Sequence, residues 1–326
     1  MKILITGVHG FVGSNLVNAL SKNNIIYGLD IVSPIKEEVK FTFSWDCLDK
    51  PGGIPDVDAI IHLAGMAHDT KNKTAADVYF KVNTELTKKI FDYYLASPEA
   101  KKFVFFSTAK AAADRVEGVL TEDAVPAPVG PYGESKFKAE EYILSRMREW
   151  ENFSKVNTDD TKHTDKQVYI FRPCMIHGPG NKGNLNLLYG VVKKGIPWPL
   201  GAFENRRTFT SIDNICFAVN GVLTKDVPSG IYNMGDDEAL STNELLEEIC
   251  KSLGKRAHIW RLPKGLMTSF AELGGMFHLP LNPERFQKLT ENYVSSNAKI
   301  KKALGVDKMP VDAWTGLRRT LESFKG

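Results

Sequence analysis

The tightest constraint on this chain sits at its start. The aliphatic run Lys2–Thr6 breaks directly into Gly7-Val8-His9-Gly10-Phe11-Val12-Gly13, and a helical apolar pattern follows over Phe11–Leu20. A strand that turns through glycines into a helix brings unpaired N–H groups and the positive end of the helix dipole to one point. Glycine lets the backbone turn there and lets an anion approach it closely. A glycine triplet alone is a weak signal; between a strand and a helix it has the context of a pyrophosphate-binding turn. Gly7, Gly10, Phe11, Val12 and Gly13 are therefore the first cofactor-binding candidates, against the competing reading of a turn with no ligand.

The rest of the first half repeats the same alternation. Short apolar runs at residues 25–30, 59–63, 102–107 and 168–172 read as strands, and 79–95 and 132–150 read as helices. The run KFVFFS at 102–107 is continuously apolar, as a strand buried on both faces requires. Strand–helix alternation predicts an α/β fold, a Rossmann-type doubly wound parallel sheet. After Gly178 glycines and prolines punctuate the chain and later elements are mostly helical. We expect a NAD-binding domain over 1–175 and a smaller, mixed C-terminal substrate domain over 176–326. The segments 207–222 and 231–234 are expected to return to the large domain. The polar stretch 151–166 reads as an exposed excursion, and Lys299, Lys301 and Lys302 as a solvated helix face.

Composition narrows the function classes. A formal net charge of +3 on 326 residues gives no footprint for nucleic acid. Cys47, Cys174, Cys216 and Cys250 are widely spaced and the histidines form no HExxH, so neither a disulfide framework nor a metal site is expected. No segment is apolar enough to span a bilayer and no signal-peptide core is recognisable, so a cytoplasmic protein without a membrane partner is expected.

Asp30 ends the second strand, 17 residues after Gly13. An acid there accepts hydrogen bonds from the adenosine ribose and repels a 2′-phosphate, which favours NAD over NADP. The alternative is a turn aspartate. Tyr132-Gly133-Glu134-Ser135-Lys136 opens a helix and places phenol and ammonium four residues apart on one face. A nearby lysine charge favours the phenolate and makes Tyr132 a plausible proton carrier for an alcohol/ketone pair. YxxxK alone is also what a surface pair looks like. Thr108 follows the KFVFFS strand, at the strand end where open α/β sheets bind ligands, and its hydroxyl can reach a reacting oxygen; a turn or capping threonine is the alternative.

Together Gly7/Gly10/Gly13, Asp30, His62-Leu63-Ala64-Gly65, Asn83, Ser107-Thr108, Tyr132xxxLys136 and Arg172-Pro173 resemble an extended short-chain dehydrogenase/reductase, and more closely the nucleotide-sugar epimerases and 4-keto-sugar reductases. The resemblance runs from residue 1 to about residue 320. It implies catalytic roles for Thr108, Tyr132 and Lys136. It implies cofactor contacts at Asp46, Cys47, Leu63, Ala64, Gly65, Asn83 and Pro173 besides the glycine turn, Asp30, Tyr132 and Lys136. It further implies UDP-sugar contacts at Thr108, Asn184, Leu200 and Arg207. Asn184 also reads as a loop or helix-cap residue and Arg207 as a surface charge. A guanidinium suits a diphosphate physically. Arg285 is a candidate for the arginine expected late in the substrate domain. A homodimer through the helices at 79–95 and 132–150 is implied as well.

One departure is informative. Sugar dehydratases resembling this chain carry an acidic pair after the threonine, where Ala109 and Lys110 stand here. The expected chemistry is therefore epimerisation at C4 of a UDP-hexose or UDP-N-acetylhexosamine through a 4-keto sugar. Net reduction of a 4-keto nucleotide sugar with NAD(P)H is the alternative. A non-catalytic NAD-sensing regulator is a remoter one, because both Tyr132 and Lys136 are present.

Overall fold

The apolar runs pair as parallel strands, each buried because a helix covers it on either side. The computed structural model describes residues 1–67, 75–156, 166–181, 183–276 and 282–325; the side chains of residues 153–156, 276, 284 and 285 lie outside that description. In chain order the first half contains β1 (Lys2–Thr6), α1 (Phe11–Leu20), β2 (Ile25–Leu29), β3 (Phe41–Phe43), β4 (Ala59–His62), α2 (Ala76–Tyr79), α3 (Leu86–Ala96), β5 (Lys102–Phe106), β6 (Val119–Leu120), α4 (Pro131–Val156) and β7 (Gln167–Pro173). The second half contains β8 (Met175–His177), α5 (Asn184–Lys193), β9 (Phe209–Ser211), α6 (Ile212–Thr224), β10 (Gly230–Met234), α7 (Thr242–Ser252), α8 (Lys264–Met276), α9 (Pro283–Thr290), β11 (Val294–Ser295), α10 (Ala298–Leu304) and α11 (Ala313–Ser323).

The main sheet has seven strands in the order β10-β7-β5-β4-β1-β2-β3, every pair parallel. The chain winds outward in one direction from β1 and in the other from β4. The crevice between their carboxyl ends is the switch point where such sheets bind ligands. Alternation along β1 decides the two layers. Ile3 and Ile5 join Leu16, Val17, Ile215 and Val219 on the face covered by α1 and α6. Leu4 joins Ile90, Phe91, Tyr94, Phe103, Phe105 and Ile143 on the face covered by α3 and α4. A separate cluster built from Leu185, Tyr189, Leu246, Ile249 and Leu317 holds α5, α7 and α11 together.

The structure departs from sequence-based expectation at three places. The helix expected over 79–95 is broken: α2 passes into a π-helical turn over Phe80–Glu85 before α3 begins. Such turns insert a residue and redirect side chains, and here the redirected residue is Asn83. The polar stretch 151–166 is not one excursion. Helix α4 continues through it to Val156, residues 157–165 lie outside the described residues, and Lys166 turns inward. Its Nζ donates to the carbonyls of Tyr94, Ser97 and Ala100 at 2.8, 2.7 and 2.9 Å, capping the end of α3. Desolvation by burial pulls its pKa down to about 8. Lys301 is likewise not a freely solvated charge, because it pairs with Asp237 at 2.7 Å and is 21% exposed.

Phe103 is fully buried, with its ring 5.0 Å from Phe91 and 5.2 Å from Tyr94. Phe103→Ala removes the shared contact of β5 and α3 and is expected to cost about 3–5 kcal/mol. Urea unfolding checks this: the midpoint should fall with the slope unchanged.

Candidate active site

The carboxyl end of β1 sets the phosphate turn. Gly7 has φ +67°, and a Cβ on it would stand 3.0 Å from the backbone nitrogen of Ala64. A Cβ on Gly13 would stand 2.4 Å from the Gly7 carbonyl oxygen, so α1 and the turn pack at a distance only glycine permits. Helix α1 has Gly10 as N-cap, no side-chain cap bond and no acid in its first turn, an arrangement suited to an anion. Phe11 and Val12 are half-buried beside the turn. The Asn15 amide donates 3.1 Å to the Pro179 carbonyl, and Phe11 lies against Gly178 and Gly180, so the segment after β7 rests on the turn. Asp30 follows β2, and its carboxylate accepts from the amides of His9 at 3.1 Å and Ile31 at 2.7 Å.

The turn after β4 is fixed by a buried polar chain. Thr6 Oγ1 accepts from the Ala64 amide at 3.0 Å and contacts His62 Nδ1 at 2.7 Å; His62 Nε2 meets Thr87 Oγ1 at 2.8 Å. Burial, then the Lys136 charge, pushes the His62 pKa well below its usual value, so the ring is neutral and serves as a strut. Asn83 accepts from the Met66 amide at 2.7 Å and donates to the Met66 carbonyl at 3.1 Å and to Ser135 Oγ at 2.9 Å. It therefore ties the loop of Leu63, Ala64 and Gly65 to the start of α4. Above Gly65 an added Cβ would meet Asn83 Oδ1 and Lys136 Nζ, each at 2.9 Å. Glycine keeps that space open.

Helix α4 brings Tyr132 and Lys136 to the end of β5, as their spacing predicts. The Tyr132 phenol lies close enough to the Thr108 hydroxyl for that hydroxyl to favour its ionised form, and its ring meets Tyr79 edge-on at 6.4 Å between centroids. Thr108 also caps a short turn over Ala109–Ala111 through the Lys110 amide at 3.3 Å, as its capping reading expects. Lys136 Nζ donates 2.9 Å to the Phe106 carbonyl and lies 4.9 Å over the Phe105 ring.

The electrostatics correct one expectation. Burial raises the Tyr132 pKa, the nearby Thr108 hydroxyl opposes that, and Lys136 is not among the groups that shift it. The ammonium points down at Phe106 rather than across at the phenol. Burial lowers the Lys136 pKa to about 8, with Glu140 acting the other way. At neutral pH, without cofactor, the pair is thus a neutral phenol above a mostly protonated ammonium. Beneath them Glu140, Arg172 and Ser107 form a buried network that no local sequence pattern marks; Tyr79 is a second residue that sequence reasoning missed.

The remaining candidates fall outside this cluster. Asp46 is at the surface, tied to Lys50 at 2.7 Å and to Ser44, and these bonds bring its pKa down to about 2. Cys47 is half-buried in the same short turn. Pro173 ends β7 and is buried. Asn184 is exposed at the first turn of α5, and Leu200 is 2% exposed. Arg207 is half-buried, its backbone bridged to Leu240 and Tyr293 and its Nη1 donating to the Lys288 carbonyl. Lys110 pairs with Asp114 at 2.5 Å. The Arg285 side chain lies outside the described residues.

Comparison with known proteins now adds to this geometry. The profile of the NAD dependent epimerase/dehydratase family matches residues 3–235. The chain belongs to the NAD-dependent epimerase/dehydratase family. A UDP-glucose 4-epimerase of Vibrio cholerae is 28% identical, over 99% of this chain and 95% of that one. An N-acetyl-alpha-D-glucosaminyl-diphospho-ditrans,octacis-undecaprenol 4-epimerase of Escherichia coli O157:H7 is 27% identical, over 92% and 84%. Among solved structures, UDP-glucuronic acid 4-epimerase from Bacillus cereus in complex with NAD superposes with a TM-score of 0.73 at 21% identity, covering 100% of this chain and 99% of that one.

As an epimerase/dehydratase family member the protein is an NAD-dependent enzyme, and its residues fit the cofactor. The Gly7–Gly13 cradle would be filled by any Cβ, the first turn of α1 is uncapped, and Asp30 stands at the end of β2. Among the described residues no helix is long and apolar enough to cross a membrane. Gly13→Ala is expected to weaken NAD binding at least tenfold, about 1.4 kcal/mol, because its methyl group meets backbone that cannot move aside. Isothermal titration with NAD at fixed pH measures it; unchanged affinity would remove the turn from the cofactor site.

Proposed function

We propose that the protein is a nucleotide-sugar 4-epimerase acting on a UDP-hexose or UDP-N-acetylhexosamine through a 4-keto sugar. The observation that carries this reading is the juxtaposition of the Thr108 and Tyr132 hydroxyls over a buried Lys136, beside a dinucleotide turn and without an acid after Thr108. A hydroxyl pair of this kind can take a proton from a secondary alcohol and return it. Elimination of water needs a further acid and base. The two positions after Thr108 hold Ala109, 2% exposed, and Lys110, already paired with Asp114.

NAD, when bound, supplies the acceptor and donor of the hydride at C4 and a positive charge in its oxidised ring. Thr108 holds the C4 oxygen in line with the phenol. Tyr132 takes the hydroxyl proton and later gives it back. Its raised pKa keeps it protonated until a cation is seated beside it, which confines proton transfer to the loaded enzyme. Lys136 has donors left for the nicotinamide ribose after its bond to Phe106, and Asn83 keeps the loop beneath that ribose in place. We assign the Arg207 fork to the diphosphate, with Asn184 beside it and Leu200 as the apolar wall for the base. We likewise assign residues 1–175, with α6 and β10, to cofactor binding, and most of 176–326 to the sugar nucleotide.

NMR of UDP-galactose, UDP-glucose and their N-acetylated forms with catalytic protein and no added cofactor tests the reading. Appearance of the C4 epimer supports it and names the sugar. No conversion even with NAD supplied, together with consumption of NADH or NADPH on a 4-keto nucleotide sugar, would replace it with a reductase. Tyr132→Phe should lower kcat by about 10²–10⁴ while leaving NAD affinity within a few-fold.

We also propose a homodimer through α3 and α4. The outward faces of these helices carry the ion pairs Lys88–Glu85, Lys138–Glu141 and Arg146–Asp92. Light scattering at micromolar concentration should give twice the chain mass, and a monomer mass would sink this assignment.

A further inference from the structure

Helix α4 carries a third functional position on the face that holds Tyr132 and Lys136. Glu140 lies one turn beyond Lys136 and is fully buried. Its carboxylate is held by Arg172, itself 1% exposed, through Nε at 3.0 and 3.2 Å and through Nη2 at 2.5 Å. It also accepts from the Ser107 hydroxyl. Ser107 is the residue before Thr108, and its amide donates 2.8 Å to the Phe171 carbonyl next to Arg172. The carbonyl before it, Phe106, is the one that Lys136 bonds. One carboxylate thus touches the element carrying the hydroxyl donor, the strand beside it and, through its field, the ammonium.

We propose that Glu140 is a positioning residue: clamped by Arg172 and Ser107, it fixes the end of β5 that presents Thr108 and supplies the counter-charge that keeps the buried Lys136 ammonium in place. The charge inventory around Lys136 supports this. Tyr132 and Glu140 face it from α4, Arg172 lies across β7, His62 approaches from β4 as a neutral ring, and Asn83 from the π turn carries no charge. Of the two buried cations, Arg172 is bonded to this carboxylate, while Lys136 is bonded to the Phe106 carbonyl and only feels the charge of Glu140. A buried ion pair is weak support for stability, since its desolvation offsets its attraction. Retaining this one under an active-site lysine is better explained by geometry and charge than by fold energy.

The field acts in a defined direction. Burial draws the Lys136 pKa down to about 8, and Glu140 opposes that fall. Without the carboxylate the ammonium titrates at lower pH. A further fall of one unit would leave about a fivefold smaller protonated fraction at pH 8. The inference rests on the family's NAD chemistry and on our assignment of Lys136 to the nicotinamide ribose, but not on which sugar is bound.

The test uses Glu140→Gln, Glu140→Asp and the double variant Glu140→Gln/Arg172→Met, which removes both charges together if the single change unfolds the protein. NAD affinity is titrated calorimetrically from pH 6.5 to 9.5, with melting temperature recorded at each pH. We expect the alkaline loss of affinity to move to lower pH by about one unit in Glu140→Gln, in the same direction but by less in the double variant, which also removes the Arg172 charge, and to be largely restored in Glu140→Asp. Melting temperatures that fall while the pH profile of NAD binding stays in place, in the single and the double variant alike, would overturn the proposal and leave the pair a structural contact. Because the readout is NAD binding, a wrong sugar assignment leaves it unaffected.

Discussion

The bond from Lys136 Nζ to the Phe106 carbonyl is the contact on which the site depends. It pins helix α4 to the carboxyl end of β5, and every other position follows from it. With α4 fixed at that point, Tyr132 reaches Thr108 one strand-end away and Ser135 reaches Asn83. Asn83 in turn holds the loop above Gly65 through both its amide groups. Strand ends, not loops, therefore set the geometry of the reacting groups. That rigidity matters because small misplacement of a proton carrier carries a large kinetic cost.

The same contact requires burial, and burial has electrostatic consequences. A buried phenol resists ionisation and a buried amine resists protonation, so both groups of the pair shift toward neutrality. An enzyme needs them reactive near neutral pH. The architecture answers with a fixed carboxylate near the lysine, and our reading places the cationic ring of NAD beside the tyrosine. His62, which sits close enough to feel Lys136, stays neutral and adds no competing charge.

Local signals explain what was legible in the sequence. The glycine turn, Asp30, the buried KFVFFS run and YxxxK each depend on residues a few positions apart, and periodicity or steric need betrays them. The sheet followed from the alternation of such runs, including β10 beside β7. What sequence reading missed is non-local. Glu140 and Arg172 are 32 positions apart and look like an ordinary helix acid and a strand arginine. Lys166 ends a polar stretch, yet its stem reaches back to three carbonyls far earlier in the chain. The π turn at Phe80–Glu85 sits inside a pattern that satisfies an unbroken helix. The C-terminal half also carries isolated bridges such as Trp198–Ile259 and Arg207–Tyr293, which leave no periodic trace.

Proximity of Lys110 to the site sharpens the chemical distinction within the family. A lysine two residues after the active-site threonine would be a poor stand-in for the acid of a dehydratase. Here it is also committed to Asp114 at its i+4 position. The pair carries no net charge, so it adds little field at the end of β5. The charge that we assign to the diphosphate is that of Arg207, anchored by the Lys288 carbonyl of α9. Arg206 next to it is turned away and paired with Glu244 at 3.0 Å. Of two adjacent arginines, then, one is exposed and paired with Glu244, and the other is half-buried and held by a backbone carbonyl. On our assignment that division sets where the diphosphate of the substrate is held, while the hydroxyl chemistry is assigned to Thr108 and Tyr132.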